Sequence, residues 1–184
     1  MERESTDQIT SEDTSIDVFS GCHDGIVRTF QQLLTMTRLL RENPADSQAR
    51  QIAGKVLTFF DDIVLLHHAE EEEELFTSVM DCSANSSEAK LAREYTKRLV
   101  EEHRDLEAMW ASIAPDLDAI AHGRQANLDM QTADKLATQY LAHAAFEEQY
   151  YLPLAAKILS PNEKSALGLA LHMRHQERAV TGYI

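Results

Sequence analysis

The chain is poor in the residues that break helices. Six glycines and four prolines in 184 residues leave few turns, and Ala, Leu, Glu, Gln and Arg abound, so an all-α fold is the first expectation. Only two cysteines are present, Cys22 and Cys82, and they form no spaced motif, which points to a reducing, cytoplasmic setting. Positive charge is also scarce: the formal net charge is −14. That balance argues against a nucleic-acid backbone or an anionic membrane surface as partner, and is compatible with attracting metal cations. No apolar run approaches the roughly 20 residues that cross a bilayer, and the acidic N-terminus lacks a hydrophobic signal core. HExxH is absent, which removes the commonest zinc-protease signature. So is any Glu-x-x-His pair, which argues against a ferritin-type enzyme or cage. There is no nucleotide- or flavin-binding loop.

What is present is apolar periodicity. At this length, 43% hydrophobic and 26% charged, the chain reads as one globular domain. Residues 1–14 are acidic and Ser/Thr-rich without periodic apolar positions, and are expected to be disordered. A helical stripe then runs from Phe19 through Phe30 to Leu40 and ends in RENPADS (41–47). A second runs from Ile52 to Val79 and stops in DCSANSS (81–87); a third runs from Leu91 to Ile120; a fourth runs from Leu136 to Ile158. Pro115 and Pro153 mark expected kinks. Ser160, Pro161 and Glu163 offer an N-cap, N1 and N3 set for a short fifth helix. The expectation is an up-down-up-down four-helix bundle over 15–160, with a C-terminal helix and tail over 161–184.

Each of the four long stripes carries a histidine: His23, His67, His103 and His143. Glutamate follows two of them by four residues, as His67-x3-Glu71 and His143-x3-Glu147. A four-residue step lands about 40° off and one turn along, so each pair shares a helix face. A buried unpaired carboxylate costs several kcal/mol and must neutralise, pair or bind metal, and the stripes carry few lysines or arginines to pair with. Imidazole with carboxylate suits iron, manganese or zinc, and carboxylates bridge two ions readily. A lone core histidine is usually a packing residue, but four in phase with the core, one per helix, are harder to explain so. In the run HHAEEEEELF (67–76), Glu71 is expected to turn inward with His67, and Glu70, Glu73 and Glu74 to face solvent. His68 and Glu72 repeat the spacing one residue on. The alignment with Val64 and Leu75 favours His67 and Glu71, leaving His68 outside the ligand set or on the surface.

The motifs HHAEEEEELF (67–76), HAAFEEQYYLP (143–153), HDGIVRTFQQLL (23–34) and EEHRDLEAM (101–109) together resemble the hemerythrin-like, HHE cation-binding family, over about residues 15–160. The resemblance implies a non-haem di-iron centre inside a four-helix bundle. Its metal ligands would be His23, His67, Glu71, His103, His143 and Glu147, with Glu71 and Glu147 as bridging carboxylates. Two iron ions are the implied cofactor, with zinc or manganese as alternatives. The implied partners are a diatomic ligand (oxygen or nitric oxide) or peroxide. The chain departs from the oxygen carriers, which resemble a set of five histidines and two carboxylates. Glu107 stands where their second helix-3 histidine falls, and His143-x3-Glu147 replaces a His-x4-Asp spacing, with Glu148 at x4. Fewer imidazoles favour sensing, oxidant handling or metal binding over reversible oxygen carriage, and binding over turnover.

Two other readings compete. One is iron storage or iron-level sensing through metal-dependent folding or partner binding. The other is a metal-free helical interaction module. Tyr95, Tyr140 and Trp110 sit on core stripes near the level of the proposed centre and read chiefly as packing residues. Cys22 reads as a small buried hydrophobe, and His122 as decoration of a helix end. His172 and His175 lie on the fifth helix, whose Leu167 and Leu171 would dock on the bundle or pair two chains as a homodimer.

Overall fold

Two kinds of apolar spacing run along this chain, and they produce two kinds of helix. In α1 (Thr14–Glu42) and α3 (Ala89–Ala121) the buried positions advance by threes and fours, as in Leu99, His103, Leu106, Trp110, Ile113 and Leu117. Those steps average near 3.6 residues and keep one face inward. The second helix, α2 (residues 47–83), advances by fours: Ile52, Val56, Phe60, Val64 and His68, then again Glu71, Leu75, Val79 and Ser83. The fourth, α4 (residues 130–158), does the same from His143 through Glu147, Tyr151 and Ala155 to Leu159. Four such steps on an ideal helix would rotate the stripe by about 160°, out of the core. The backbone corrects this with π turns at Phe60–Val64, Glu71–Phe76 and Glu147–Tyr151. The Leu65 N–H reaches Phe60 O and the Leu152 N–H reaches Glu147 O, and each extra residue per turn brings the stripe back.

The computed structural model describes residues 14–181, so the N-terminal segment expected to be disordered lies outside the described residues apart from Thr14. Among the described residues all regular structure is helical, in five helices, and no helix is long and apolar enough to cross a membrane. The ends are set by local chemistry. Asp46 accepts from the Ala49 N–H at the start of α2, and Asp129 accepts from Gln131 and Thr132 at the start of α4. At the end of α3, Gly123 adopts φ +66°, while Gly123 N–H bonds Ile120 O and Arg124 N–H bonds Ala119 O, the pattern that closes a helix on a glycine. Pro115 is carried within continuous α-helix. Pro153 sits in the first turn of Leu152–Ile158, directly after a π turn, where its missing N–H is most easily accommodated.

The four long helices form a ring of contacts: α1 against α2 and α4, and α3 against α2 and α4. The fifth helix, α5 (Pro161–Thr181), has 21 residues and is not the short element expected. A reciprocal cap starts it, with Ser160 N–H donating to Glu163 at 2.7 Å and Glu163 N–H to Ser160 Oγ at 3.4 Å. Its Leu167 and Leu171 are buried against the bundle, where α5 meets α1 and the Glu71–Phe76 turn.

The core divides into two apolar clusters. One gathers Phe30, Phe60, Trp110 and Tyr140, with Phe60 stacked on Trp110 at 4.0 Å and Phe30 on Tyr140 at 4.2 Å. The other gathers Phe19, Leu75, Leu99, Tyr151, Leu167 and Leu171. Between them lies a layer that belongs to neither: His23, His67, His68, Glu71, His103, His143 and Glu147, all buried.

Candidate metal centre

The ring of helices aims this polar layer at one point. Glu71 and Glu147 each begin a π turn, so the residue where the stripe is re-registered is also the carboxylate that reaches the middle. Beside a group of His68, His103 and His143, two four-residue groups of ligand atoms form there, each within 4.8 Å: His23, His67, Glu71 and Glu147, and Glu71, His103, His143 and Glu147. The glutamates belong to both. Glu71 divides its oxygens between them, with Oε1 at 3.2 Å from His67 Nε2 and 3.9 Å from His23 Nε2, and Oε2 at 3.4 Å from His103 Nε2. Glu147 Oε2 lies 3.0 Å from His23 Nε2 and 3.4 Å from His143 Nε2. All six residues singled out from sequence therefore meet.

The outward nitrogens are held by carboxylates. His23 Nδ1 meets Glu148 at 2.7 Å, His103 Nδ1 meets Glu72 at 2.8 Å, and His143 Nδ1 meets Glu102 at 2.9 Å. Each Nδ1–H donates to an anionic oxygen, which fixes the tautomer and turns the Nε2 lone pair inward. His67 differs, since its Nδ1 has no hydrogen-bond partner and its Nε2 faces His23 Nε2 at 3.0 Å. Arginines stand behind some of these carboxylates: Arg104 bonds both Glu72 and Glu107, and Arg98 bonds Glu102 at 2.7 Å.

The electrostatics are those of a site short of positive charge. Burial and the neighbouring Glu147 push Glu71 well above the usual carboxylate range. Burial, reinforced by the surrounding imidazoles, pushes His67 and His103 well down. Burial also lowers His68, against the pull of Glu107. His23 is the exception: burial opposes its charge, yet contacts with Glu147 and Glu148 raise it.

A metal fits this arrangement on the evidence of its own polar atoms. Glu71 Oε2, His103 Nε2, His143 Nε2 and both Glu147 oxygens are buried without a hydrogen-bond partner. Each such atom costs about 1–3 kcal/mol, more when charged. A cation among them would satisfy the whole set, and imidazole nitrogen with carboxylate oxygen suits iron, manganese or zinc.

The structure also corrects the sequence reading. His68 is buried in the layer and not on the surface, so five buried imidazoles are present there. Glu70 is buried as well, because at this level α2 lies between two neighbours and the junction of its two four-step stripes turns 67, 68, 70 and 71 inward together. Glu107 accepts from His68 at 2.9 Å. Tyr140 reaches His68 Nε2 with its hydroxyl at 2.7 Å, whereas Trp110 bonds Asp61 at 3.3 Å and Tyr95 packs on Phe146. Cys22 is half-buried, and burial together with Glu70 raises its thiol pKa. His122 caps the end of α3, its Nδ1–H donating to Asp118 O at 2.8 Å. The side chains of His172 and His175 lie outside the described residues.

A family model described as the hemerythrin HHE cation binding domain matches residues 14–155. No curated protein matches the chain.

Proposed function

This chain belongs to the hemerythrin HHE cation-binding family, and on that premise we propose that it holds a pair of iron ions and binds or responds to oxygen, nitric oxide or peroxide. The ligands would be His23 and His67 on one side and His103 and His143 on the other, with Glu71 and Glu147 shared. The observation that carries this reading is the sharing itself: two four-residue ligand groups overlap in the same two buried carboxylates. Two ferrous ions in such a setting supply electrons and an open coordination position. The protein's part is positional. Glu148, Glu72 and Glu102 hold the imidazoles in one tautomer, Glu71 and Glu147 balance charge, and the two apolar clusters keep bulk water away. The up-down-up-down helix order, a bundle over 15–160 followed by 161–184, and a cytoplasmic setting belong to the same proposal. Binding or sensing is favoured over turnover, because the sequence carries no nucleotide- or flavin-binding loop to supply reductant for a cycle.

Elemental analysis after anaerobic reconstitution with ferrous iron tests it. About two irons per chain are expected, and new near-ultraviolet and visible absorption on exposure to oxygen or nitric oxide. One ion, or none, overturns the paired centre. A preference for zinc or manganese removes the redox role and keeps the site. A second reading, iron-level sensing through metal-dependent folding, draws on the unpartnered polar atoms of the centre: relief of their cost links occupancy to stability. It predicts a large rise in melting temperature on iron loading, and an unchanged melting curve rules it out.

A further inference from the structure

His67 aligns better than His68 along the stripe, yet the surroundings of His68 are those of the histidines in the proposed ligand set. It is 1% exposed. Its Nδ1–H donates to Glu107 at 2.9 Å, the arrangement seen at His23, His103 and His143, so its Nε2 carries the lone pair. The ring stacks on His103 at 3.9 Å with an interplanar angle of 8°, so one of the two rings must turn before both lone pairs can meet a single ion. Ligand nitrogens of His68, His103 and His143 lie within 4.8 Å of one another.

Its neighbour explains why two adjacent residues both point inward. Consecutive residues on a helix lie about 100° apart, and α2 packs between α1 and α3. His67 therefore meets His23 on the α1 side, and His68 meets His103 on the α3 side. One helix serves both halves of the layer.

We propose that His68 is a third imidazole ligand for the His103–His143 half of the centre, and that the Tyr140 hydroxyl competes with the metal for its Nε2. This rests on the metal-centre reading given above. Tyr140 is buried, and its O–H donates into the His68 lone pair at 2.7 Å. A lone pair serves one acceptor role at a time, so an ion there displaces the hydroxyl. The competing account is a core histidine satisfied by Glu107 on one side and Tyr140 on the other. It predicts that His68 never meets the metal.

Proton NMR of the full chain loaded with cobalt(II) separates the two. An imidazole bound through Nε2 keeps its Nδ1–H, which then gives a paramagnetically shifted, solvent-exchangeable signal. Five such signals are expected in the wild type and four in His68→Gln. Four signals in both proteins overturn the inference and leave the metal centre standing. No shifted signals in the wild type bring down the metal reading itself. Should His68→Gln fail to fold, Tyr140→Phe keeps the histidine and removes its competitor. Cobalt affinity is then expected to rise about fivefold to tenfold, the worth of one net hydrogen bond. Unchanged or weaker binding overturns the competition.

Discussion

The two halves of the central layer are built from the same residue types and supported differently. On the α3 side, His103 leans on Glu72, His143 on Glu102 and His68 on Glu107, and those carboxylates are tied in turn to Arg104 and Arg98. On the α1 side, His23 leans on Glu148, which takes only a serine hydroxyl, Ser20 at 3.0 Å, and His67 Nδ1 has no partner. Glu148 is 39% exposed, and it lines, with Ser20, His23 and Asp24, an open cleft of about 430 Å³ between α1 and α4. A guanidinium-tied carboxylate holds an imidazole in one orientation, while a solvated carboxylate lets it move. The α3 half is thus suited to fixing an ion, and the α1 half to admitting one or exchanging what it carries.

Glu71 joins the halves, so its loss has the largest expected effect. Glu71→Gln removes an anionic oxygen from both ligand groups, and metal content is expected to fall from about two ions per chain to less than one. The metal-free protein should move the other way. Burial and Glu147 already oppose the Glu71 charge, and a neutral isostere of the same shape carries no such cost, so the metal-free variant is expected to be at least as stable as the wild type. Thermal melts with and without metal read both signs, and a variant that is destabilised when metal-free refutes the account of a strained carboxylate. Arg104→Ala comes next and strikes one half alone. It leaves Glu72 and Glu107 without their shared cation, and metal affinity on the α3 side is expected to fall about 10–100-fold. Metal-free stability should change by less than about 1 kcal/mol, since the guanidinium is more than half exposed. Equal loss from both halves in a metal titration would erase the distinction between them.

The buried groups of the layer titrate in opposite senses, and the division does not follow the two halves. His68 and His103 on the α3 side, with His67, have folded pKa values below the ordinary histidine value. The stability that their neutrality allows is present above about pH 6.5 and is lost as the pH falls below it. His23 and Glu71 are raised, so their contribution is present below their ordinary values and is lost as the pH rises through the folded ones. Metal-free protein is therefore expected to be most stable at roughly pH 6–7 and to weaken on either side. A melting temperature that climbs steadily down to pH 5 would mean that His67, His68 and His103 are not held neutral.

The helical bundle and the convergence of six buried polar residues were legible because burial imposes a period, and the period is local. The π turns were not read from the sequence, although it carries their signal. Runs such as His143, Glu147, Tyr151, Ala155 and Leu159 step by four without a compensating three, and an ideal helix cannot keep them on one face. A single register along α2 favours His67 over His68, whereas a helix between two neighbours can bury adjacent residues toward each. The supporting carboxylates could not be read at all. Glu102 adjoins His103 but serves His143, and Glu107 lies one turn past His103 but serves His68. Each partner comes from another helix, and sequence spacing carries no record of which.

Ser20→Ala carries the smallest expected effect and tests the comparison most narrowly. It removes the hydroxyl that donates to Glu148 at 3.0 Å, in a position open to solvent, where water replaces a lost hydrogen bond at little cost. Metal affinity on the α1 side should drop no more than about threefold, against the much larger loss from Arg104→Ala on the α3 side. Calorimetric titration of both variants under one buffer compares them directly. If Ser20→Ala matches Arg104→Ala, then the α1 half depends on its hydroxyl as the α3 half depends on its guanidinium. The open cleft beside His23 would then border a site as firmly held as its partner.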